Sequence, residues 1–286
     1  MKKILLILTS ILIGAASENL LNAQQVINGA YTKRTTIDRK PAPLPIVREA
    51  DAVWSKTVWR IIDLREKANQ HFYFPTREIQ GRANLFNILL AGIEGKKYAP
   101  ITAFDASGTD DEFKLPITFS QVKQQFGDSV KAIKVTDLIS GDSHDSIVSA
   151  EIPTLDVKQF EIKEVWYFDK QKSTLQVRIL GICPIRVYKK DPKDSTYVRK
   201  RLFWVYYPEV RPLLARNESL NDFNGARSLS FDDMFLTRKF DGYIVKEENT
   251  YNNRSIEQYT TGEASFRESE RIKNSIFNYE QDLWEY

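Results

Sequence analysis

Few residues in this sequence are of the types that do chemistry. It contains two histidines, His71 and His144, and a single cysteine, Cys183. Neither histidine has a second imidazole at the spacing of metal ligands, and one cysteine cannot supply the paired thiolates of zinc or iron–sulfur sites. The sequence also has no glycine-rich phosphate loop, no HExxH motif and no Gly-x-Ser-x-Gly elbow. We therefore predict neither a cofactor nor a catalytic residue.

Three weaker chemical hypotheses stay open at the level of sequence. A catalytic triad could be assembled from His144, a serine and either Asp142 or Asp145, because triads form in space and not in sequence. The many acidic residues could also provide a pair for glycoside hydrolysis. The adjacent acids at 110–112 suggest a metal site, but a calcium loop has ligands at alternating positions, a glycine and a terminal glutamate. We interpret residues 110–112 as solvated.

Residues 1–23 have the pattern of a secretory signal peptide. A basic start at Lys2 and Lys3 is followed by an apolar run at 4–13, which is too short to anchor the chain in a bilayer, and by a cleavage site before Gln24. No cysteine follows the apolar run to accept a lipid. We expect an exported, unlipidated chain that starts at Gln24.

The composition indicates a folded protein of mixed charge. Removing residues 1–23 lowers the formal charge from +3 to +2, and the charged residues, 28% of the chain, are interspersed in sign with no long run of either. This pattern favours neither nucleic-acid nor membrane-surface binding. A lone Cys183 cannot close an intramolecular disulfide, so we expect stability to come from packing, with Cys183 as a small buried residue.

The segment 51–75 is predicted to be a core helix followed by a short aromatic strand. Its apolar residues fit a helical stripe, and Asp51 is placed to cap the first turn. Arg65 falls inside the stripe and is predicted to form a structural ion pair. Trp59 lies on the polar side, where it is either covered by a loop or available to a partner.

An extended arm is predicted before this segment, over residues 24–48. The prolines at 41, 43 and 45 favour polyproline geometry and exclude helix. The arm is either disordered or lies along a neighbouring subunit. Ile46 and Val47 give it apolar side chains to bury there.

A helix is also predicted over 231–245, with Ser230 as its cap. It has two apolar faces, so it is either sandwiched within its own fold or contacts a subunit through one face. We predict a further helix from 263 to the C-terminus. The partner-binding candidates are therefore Ile46, Val47, Trp59, Leu236, Phe240, Tyr243 and Trp284.

The remaining pattern predicts an α+β fold, with a central antiparallel β-sheet flanked by helices, the N-terminal arm and the C-terminal helix. The strongest strand signals are two β-branched and aromatic runs at 161–169 and 174–182, spaced as a hairpin. We expect residues 49–286 to form a single domain. Its other predicted elements are helices at 82–93 and 118–126, strands at 96–104 and 201–207, and two strands joined by a loop at 141–146 within 130–152.

A series of spaced motifs runs through the chain in a fixed order. They are READ at 48–51, WSK at 54–56, VWRIIDLREK at 58–67, FDK at 168–170, RILGI at 178–182, WVYYPE at 204–209, LSFDD at 229–233, ESERIK at 268–273 and DLWEY at 282–286. Together they resemble the gliding-motility family GldN, also called PorN. The resemblance extends from the signal peptide to the last residue.

This resemblance implies a non-enzymatic part of the type IX secretion system of Bacteroidota, in the periplasm beneath the outer membrane. Members of the family build a ring with an outer-membrane lipoprotein, GldK or PorK, and communicate with the motor proteins GldL and GldM. No catalytic residue is implied. The alternative from the residues alone is a periplasmic hydrolase or small-ligand-binding protein with a cleft at the sheet edge.

Overall fold

The computed structural model describes most of the chain from residue 39 onward. The described ranges are 39–79, 81–95, 99–106, 111–126, 130–136, 143–149, 152–189, 196–219 and 229–282, with the backbone alone at 130–136 and 143–149. The described elements belong to one compact unit, Thr36–Tyr286. The predicted signal peptide and Trp284 lie outside the described residues.

The described residues contain both strands and helices in an alternating order. The strands are β1 (Ala52–Asp63), β2 (Ala103–Asp105), β3 (Pro116–Ile117), β4 (Val130–Thr136), β5 (Ser143–Ser149), β6 (Val157–Asp169), β7 (Thr174–Tyr188), β8 (Val198–Arg201), β9 (Phe203–Tyr206), β10 (Glu218–Ser219), β11 (Leu229–Ser230) and β12 (Tyr243–Glu247). The α-helices are α1 (Gln70–Tyr73), α2 (Leu85–Glu94), α3 (Phe119–Gln125), α4 (Tyr207–Arg216), α5 (Phe231–Leu236) and α6 (Glu263–Asp282).

An antiparallel sheet is the centre of the fold. In the described part of the chain its order is β12-β1-β6-β7-β9-β2-β3, and β8 also pairs with β7. Two small two-stranded sheets, β4–β5 and β10–β11, complete the β structure. The predicted α+β class with a central antiparallel sheet is therefore confirmed.

Strand β1 replaces the helix predicted at the start of 51–75. It pairs with β12 on one side and with β6 on the other. Its second half is buried on both faces, so apolar residues occur at successive positions and lose the alternation of a half-exposed strand. Such a run fits a helical stripe equally well. The helix prediction is wrong, and Asp51 does not cap a helix there.

The two faces of β1 contribute to different hydrophobic clusters. Ile62 belongs to the main core, which α2, α4 and α5 cover. Trp59 and Ile61 belong to a second cluster with Cys183. Because successive strand residues point to opposite faces, the two clusters lie on opposite sides of the sheet. Each fully buried large side chain of this kind contributes about 1.5–3 kcal/mol to folding.

The predicted central hairpin is confirmed and is longer than expected. Strands β6 and β7 pair from Asp169↔Thr174 to Val157↔Arg186. The turn between them occupies residues 170–173, with Ser173 at a φ of 52°. This hairpin and β1 form the widest part of the sheet and carry the charged residues described below.

The helix within the segment 231–245 is also shorter than predicted. Ser230 caps α5 as expected, since its Oγ accepts a hydrogen bond from Asp233 N at 3.1 Å. The helix then ends at Leu236, Arg238 adopts a φ of 52°, and the chain enters β12 at the sheet edge. Gly242 allows this approach, because a Cβ there would lie 2.5 Å from the carbonyl oxygen of Ile61.

Helix α6 confirms the predicted C-terminal helix and covers the β12 edge. Its residues Ile272 and Ile276 pack in a third cluster with Val58 of β1. Ser269 Oγ accepts a hydrogen bond from Ile244 N at 3.0 Å, so a strand-edge donor is satisfied by a helix side chain. None of the described helices is long and apolar enough to cross a bilayer.

Candidate partner-binding surfaces

The predicted partner-binding residues are dispersed over the fold. Ile46 is 97% exposed and Leu236 is 39% exposed. Val47, Phe240 and Tyr243 are half-buried. For the described ones among them, the structure shows no contacts that join these positions into one continuous patch. Their proximity in sequence, on a predicted helix, was therefore a poor guide to a shared surface.

Trp59 lies in the interior of the isolated chain. It is 3% exposed, and the amines of Lys163 and Lys246 lie 5.4 Å and 4.0 Å from its ring centroid. Both lysines form ion pairs with Asp111. The covered alternative for Trp59 is the one observed. The interpretation of Asp111 as a solvated residue is therefore wrong, because Asp111 forms ion pairs with both lysines that lie over this ring.

Two of the residues predicted to be structural have different surroundings from those expected. Arg65 does form an ion pair, with Asp63, but its side chain is 66% exposed. Burial raises the pKa of Asp63, yet hydrogen bonds from Arg65 and Gln159 outweigh it and bring the pKa to about 2. Asp51 Oδ2 accepts a hydrogen bond from Gln171 Nε2 at 2.9 Å, which ties the start of β1 to the β6–β7 turn.

The described part of the predicted arm lies on its own chain. Arg211 Nη2 donates to the carbonyl oxygen of Ala42 at 2.5 Å, and Arg178 Nη2 donates to that of Pro45 at 2.6 Å. Arg39 forms an ion pair with Asp233. Two of these three contacts are made to backbone carbonyls, so they fix the path of the extended segment and leave Ile46 exposed.

A cleft opens between α6 and the sheet, and we call it the α6 cleft. Its volume is about 360 Å³, which is within the range of small-ligand and side-chain binding sites. Aromatic and aliphatic side chains form much of its wall. The lining residues are Arg60, Trp166, Leu175, Arg238, Phe240, Asp241, Gly242, Ile244, Lys273, Asn274, Ile276, Phe277 and Glu280.

Two arginines of the α6 cleft contact one buried carboxylate. Glu164 of β6 is fully buried, and its oxygens lie 3.0 Å from Arg238 Nη2 and 3.5 Å from Arg60 Nε. Trp166 Nε1 donates to Glu164 Oε2 at 3.2 Å. The guanidinium carbon of Arg238 lies 5.2 Å from the Trp166 ring centroid and 5.0 Å from that of Phe240. The arginine is therefore held by stacking as well as by charge.

The pKa of Arg238 reflects this crowding of positive charge. Burial lowers it, the charge of Glu164 raises it, and the charge of Arg60 lowers it further, with a net shift below the usual range. Sequence reasoning missed this cluster. A signal was present in Glu164, a charged residue directly before the apolar and aromatic run at 165–168 of the same strand, because buried carboxylates require cationic partners.

Neither Cys183 nor His71 lines this cleft. Cys183 is fully buried, as predicted, and burial raises the pKa of its thiol. The ring of His71 lies 4.1 Å from that of Phe72 in a tilted arrangement, while His144 lies on β5, where only the backbone is described. Asp142 lies outside the described residues. No group of three or more potential metal ligands occurs among the described residues.

Comparison with known protein families gives a match over most of the chain. The profile of a family described as "Gliding motility associated protein GldN" matches residues 47–285. The matched region includes every strand and helix given above. No curated protein matches the chain.

Proposed function

This chain belongs to the GldN family of gliding-motility proteins, and from that membership we propose that it is a non-enzymatic structural and transmission subunit of its machinery. Membership associates the chain with gliding motility and type IX secretion. The proposal adds a place in the periplasm, at the inner face of the outer membrane. It also adds a ring complex with a lipoprotein like GldK or PorK, and contact with motor proteins like GldL and GldM.

The observation that carries the proposal is an exposed aromatic side of α6. Phe266 is 62% exposed and Phe277 is 56% exposed. They are eleven residues apart, which is close to three full turns, so both lie on the same side of the helix. Single exposed aromatics are common on protein surfaces, but two in register on one helix are typical of a surface that a partner covers.

A ring requires each copy to use two different surfaces. A heterologous contact repeats around an axis and closes if the rotation per copy divides a full turn. The exposed side of α6 and the exposed Ile46 of the arm are separate apolar features that could serve as two such surfaces. The proposed mechanism is burial of these side chains against neighbouring copies and against the lipoprotein.

The test is whether the polypeptide that starts at Gln24 associates with the lipoprotein partner. Gel filtration and light scattering measure the association. We expect a complex larger than either protein alone. Replacing Phe266 and Phe277 together by serine should weaken it, whereas replacing the equally exposed Tyr251 by serine should not. A chain that remains monomeric and ignores the lipoprotein would contradict the proposal.

A second candidate function, small-ligand binding, is favoured by the α6 cleft itself. The cleft lies beside β12, at an edge of the sheet. The alternative hypothesis from the sequence also predicts a binding cleft at the sheet edge. Saturable binding of a small anionic metabolite, combined with no detectable association with the lipoprotein, would favour this candidate over the structural one.

A further inference from the structure

The α6 cleft brings two cations to one buried anion. Arg60 and Arg238 share the single carboxylate of Glu164. Within the described residues, two buried donors of this cluster, Arg60 Nε and Arg238 Nη1, and one buried acceptor, Glu164 Oε1, have no hydrogen-bond partner. Buried donors are satisfied in the great majority of cases, and those that are not call for an unseen partner or a functional role.

The other acidic groups of the cleft wall are engaged elsewhere. Glu280 Oε1 accepts a hydrogen bond from Leu175 N at 3.3 Å, and Asp241 Oδ1 accepts one from Gly242 N at 2.7 Å. The remaining cation of the wall, Lys273, pairs with Glu270 on α6. These hydrogen bonds leave both carboxylates charged, but Asp241 is exposed, so the group formed by Arg60, Arg238 and Glu164 still contains two cations and one buried anion.

The wall of the cleft also has an apolar part. Phe277 is exposed at its rim and Phe240 is half-buried beside Arg238. Leu175 and Ile276 extend this apolar wall. A ligand that complements the site needs an anionic group for the arginines and apolar groups next to it for the rim. A planar carboxylate matches the paired donors of a guanidinium.

We propose that the α6 cleft binds an acidic side chain of a partner protein, with its carboxylate on Arg60 and Arg238 and its apolar neighbours in the sequence against Phe240 and Phe277. This inference deepens the proposed function and rests on it for the presence of a partner protein. The partner segment has a glutamate or aspartate flanked by aromatic or aliphatic residues. It enters between α6 and the sheet without displacing Glu164.

The test uses two blocked tetrapeptides and the ¹⁵N-labelled chain from Gln24. One peptide is acetyl-Ser-Phe-Glu-Leu-amide, and the matched peptide has glutamine in place of glutamate. The readout is the indole N–H signal of Trp166, whose Nε1 donates to Glu164 inside the cleft. We expect the glutamate peptide to shift this signal saturably and to bind at least about tenfold more tightly than the glutamine peptide, because charge-assisted hydrogen bonds are the stronger ones.

Two variants and a control separate the parts of the site. Arg238→Gln should abolish the difference between the two peptides. Phe277→Ala should weaken both peptides by a similar factor, and its exposed side chain can be removed without opening the core. Arg254→Gln is the matched control, since Arg254 also stacks between two aromatic rings, those of Tyr251 and Tyr259, outside the cleft.

Four results would overturn the inference. Equal affinity for the two peptides would show that charge is not recognised. Succinate binding as tightly as the glutamate peptide would indicate a small molecule as the ligand. If the peptide bound only after deletion of residues 283–286, the occupant of the cleft would be the chain's own C-terminal end. If peptide binding weakened as the chain self-associated, the occupant would be a second copy of the chain.

The same experiment distinguishes failure of the inference from failure of the proposed function. If Arg238→Gln leaves the complex with the lipoprotein intact and no peptide binds, the cleft assignment fails and the structural role stands. If the glutamate peptide binds with the expected selectivity but no lipoprotein complex forms, the role proposed from the family fails and the cleft remains a carboxylate-binding site.

Discussion

Two buried arginine–carboxylate clusters of this fold differ in how completely their groups are paired. In the first, Arg211 Nε and Nη2 donate to the two oxygens of Asp232 at 2.9 and 3.1 Å, and Tyr207 Oη donates to the same carboxylate at 2.8 Å. One cation meets one anion there. In the second, Arg60 and Arg238 meet Glu164, and a cleft lies beside them.

The difference separates a structural ion pair from a candidate binding site. The Asp232 cluster is closed, since Arg211 also donates to the arm at Ala42 and both charged side chains are almost fully buried. Burial raises the pKa of Tyr207, and Asp232 raises it further, so the phenol remains a donor. The Glu164 cluster is open, because a cleft lies beside it and Arg60 Nε, Arg238 Nη1 and Glu164 Oε1 have no hydrogen-bond partner among the described residues. A buried charge without a full partner is costly, which favours an external anion at the second cluster.

The largest expected effect is at the closed cluster. Arg211→Gln should lower the free energy of unfolding by about 3–5 kcal/mol, because it leaves the buried Asp232 carboxylate without its cation. Urea denaturation measures the change. Arg216→Gln, at an exposed position of the same helix α4, is the control and should change it by less than about 0.5 kcal/mol. Similar losses for both variants would remove the distinction between closed and open clusters.

The second-largest effect on stability is expected from adding a methyl group at Gly242, beside Arg60 of the open cluster. Gly242→Ala should cost about 1–3 kcal/mol, because the new Cβ would lie 2.5 Å from the Ile61 carbonyl oxygen and 3.2 Å from Arg60 Cγ. Thermal and urea unfolding measure it. Since β12 must shift, peptide binding in the α6 cleft should also weaken. An alanine variant of unchanged stability would mean that this approach of β12 to β1 is not as close as described.

A smaller effect is expected at the helix that carries Asp232. Ser230→Ala removes the acceptor for Asp233 N and should cost about 1 kcal/mol. Ser275→Ala is the control, because that hydroxyl donates to a carbonyl within α6 and caps nothing. Equal costs for the two serines would show that capping of α5 does not stabilise the closed cluster.

The smallest effect on stability is expected at the open cluster. Arg238→Gln should change the free energy of unfolding by less than about 1 kcal/mol, since Arg60 remains beside Glu164 and one buried cation is removed from a pair of like charges. The urea midpoint gives the comparison with Arg211→Gln. A loss as large as that of Arg211→Gln would identify Arg238 as a structural residue and would count against a binding role.

Sequence patterns located the elements with local signals. The β6–β7 hairpin has β-branched residues on both sides of a polar turn, α2 ends at Gly95 with a φ of 70°, and α5 begins at Ser230. These features depend on a few neighbouring residues, so a sequence read alone predicts them well. The spaced motifs also determined the family, which the profile match over 47–285 confirms.

Only the tertiary structure decided what depends on burial by distant segments. The sequence of β1 fits a helical pattern because both faces of the strand are buried and its apolar residues do not alternate. Its own sequence does not indicate which segments pack on those two faces. The burial of Trp59 depends on Lys163 and Lys246, which are more than a hundred residues away in sequence. The α6 cleft combines β1, β6, β12 and α6, so the meeting of Arg60 and Arg238 on the one carboxylate of Glu164 is a property of the fold that no local pattern records.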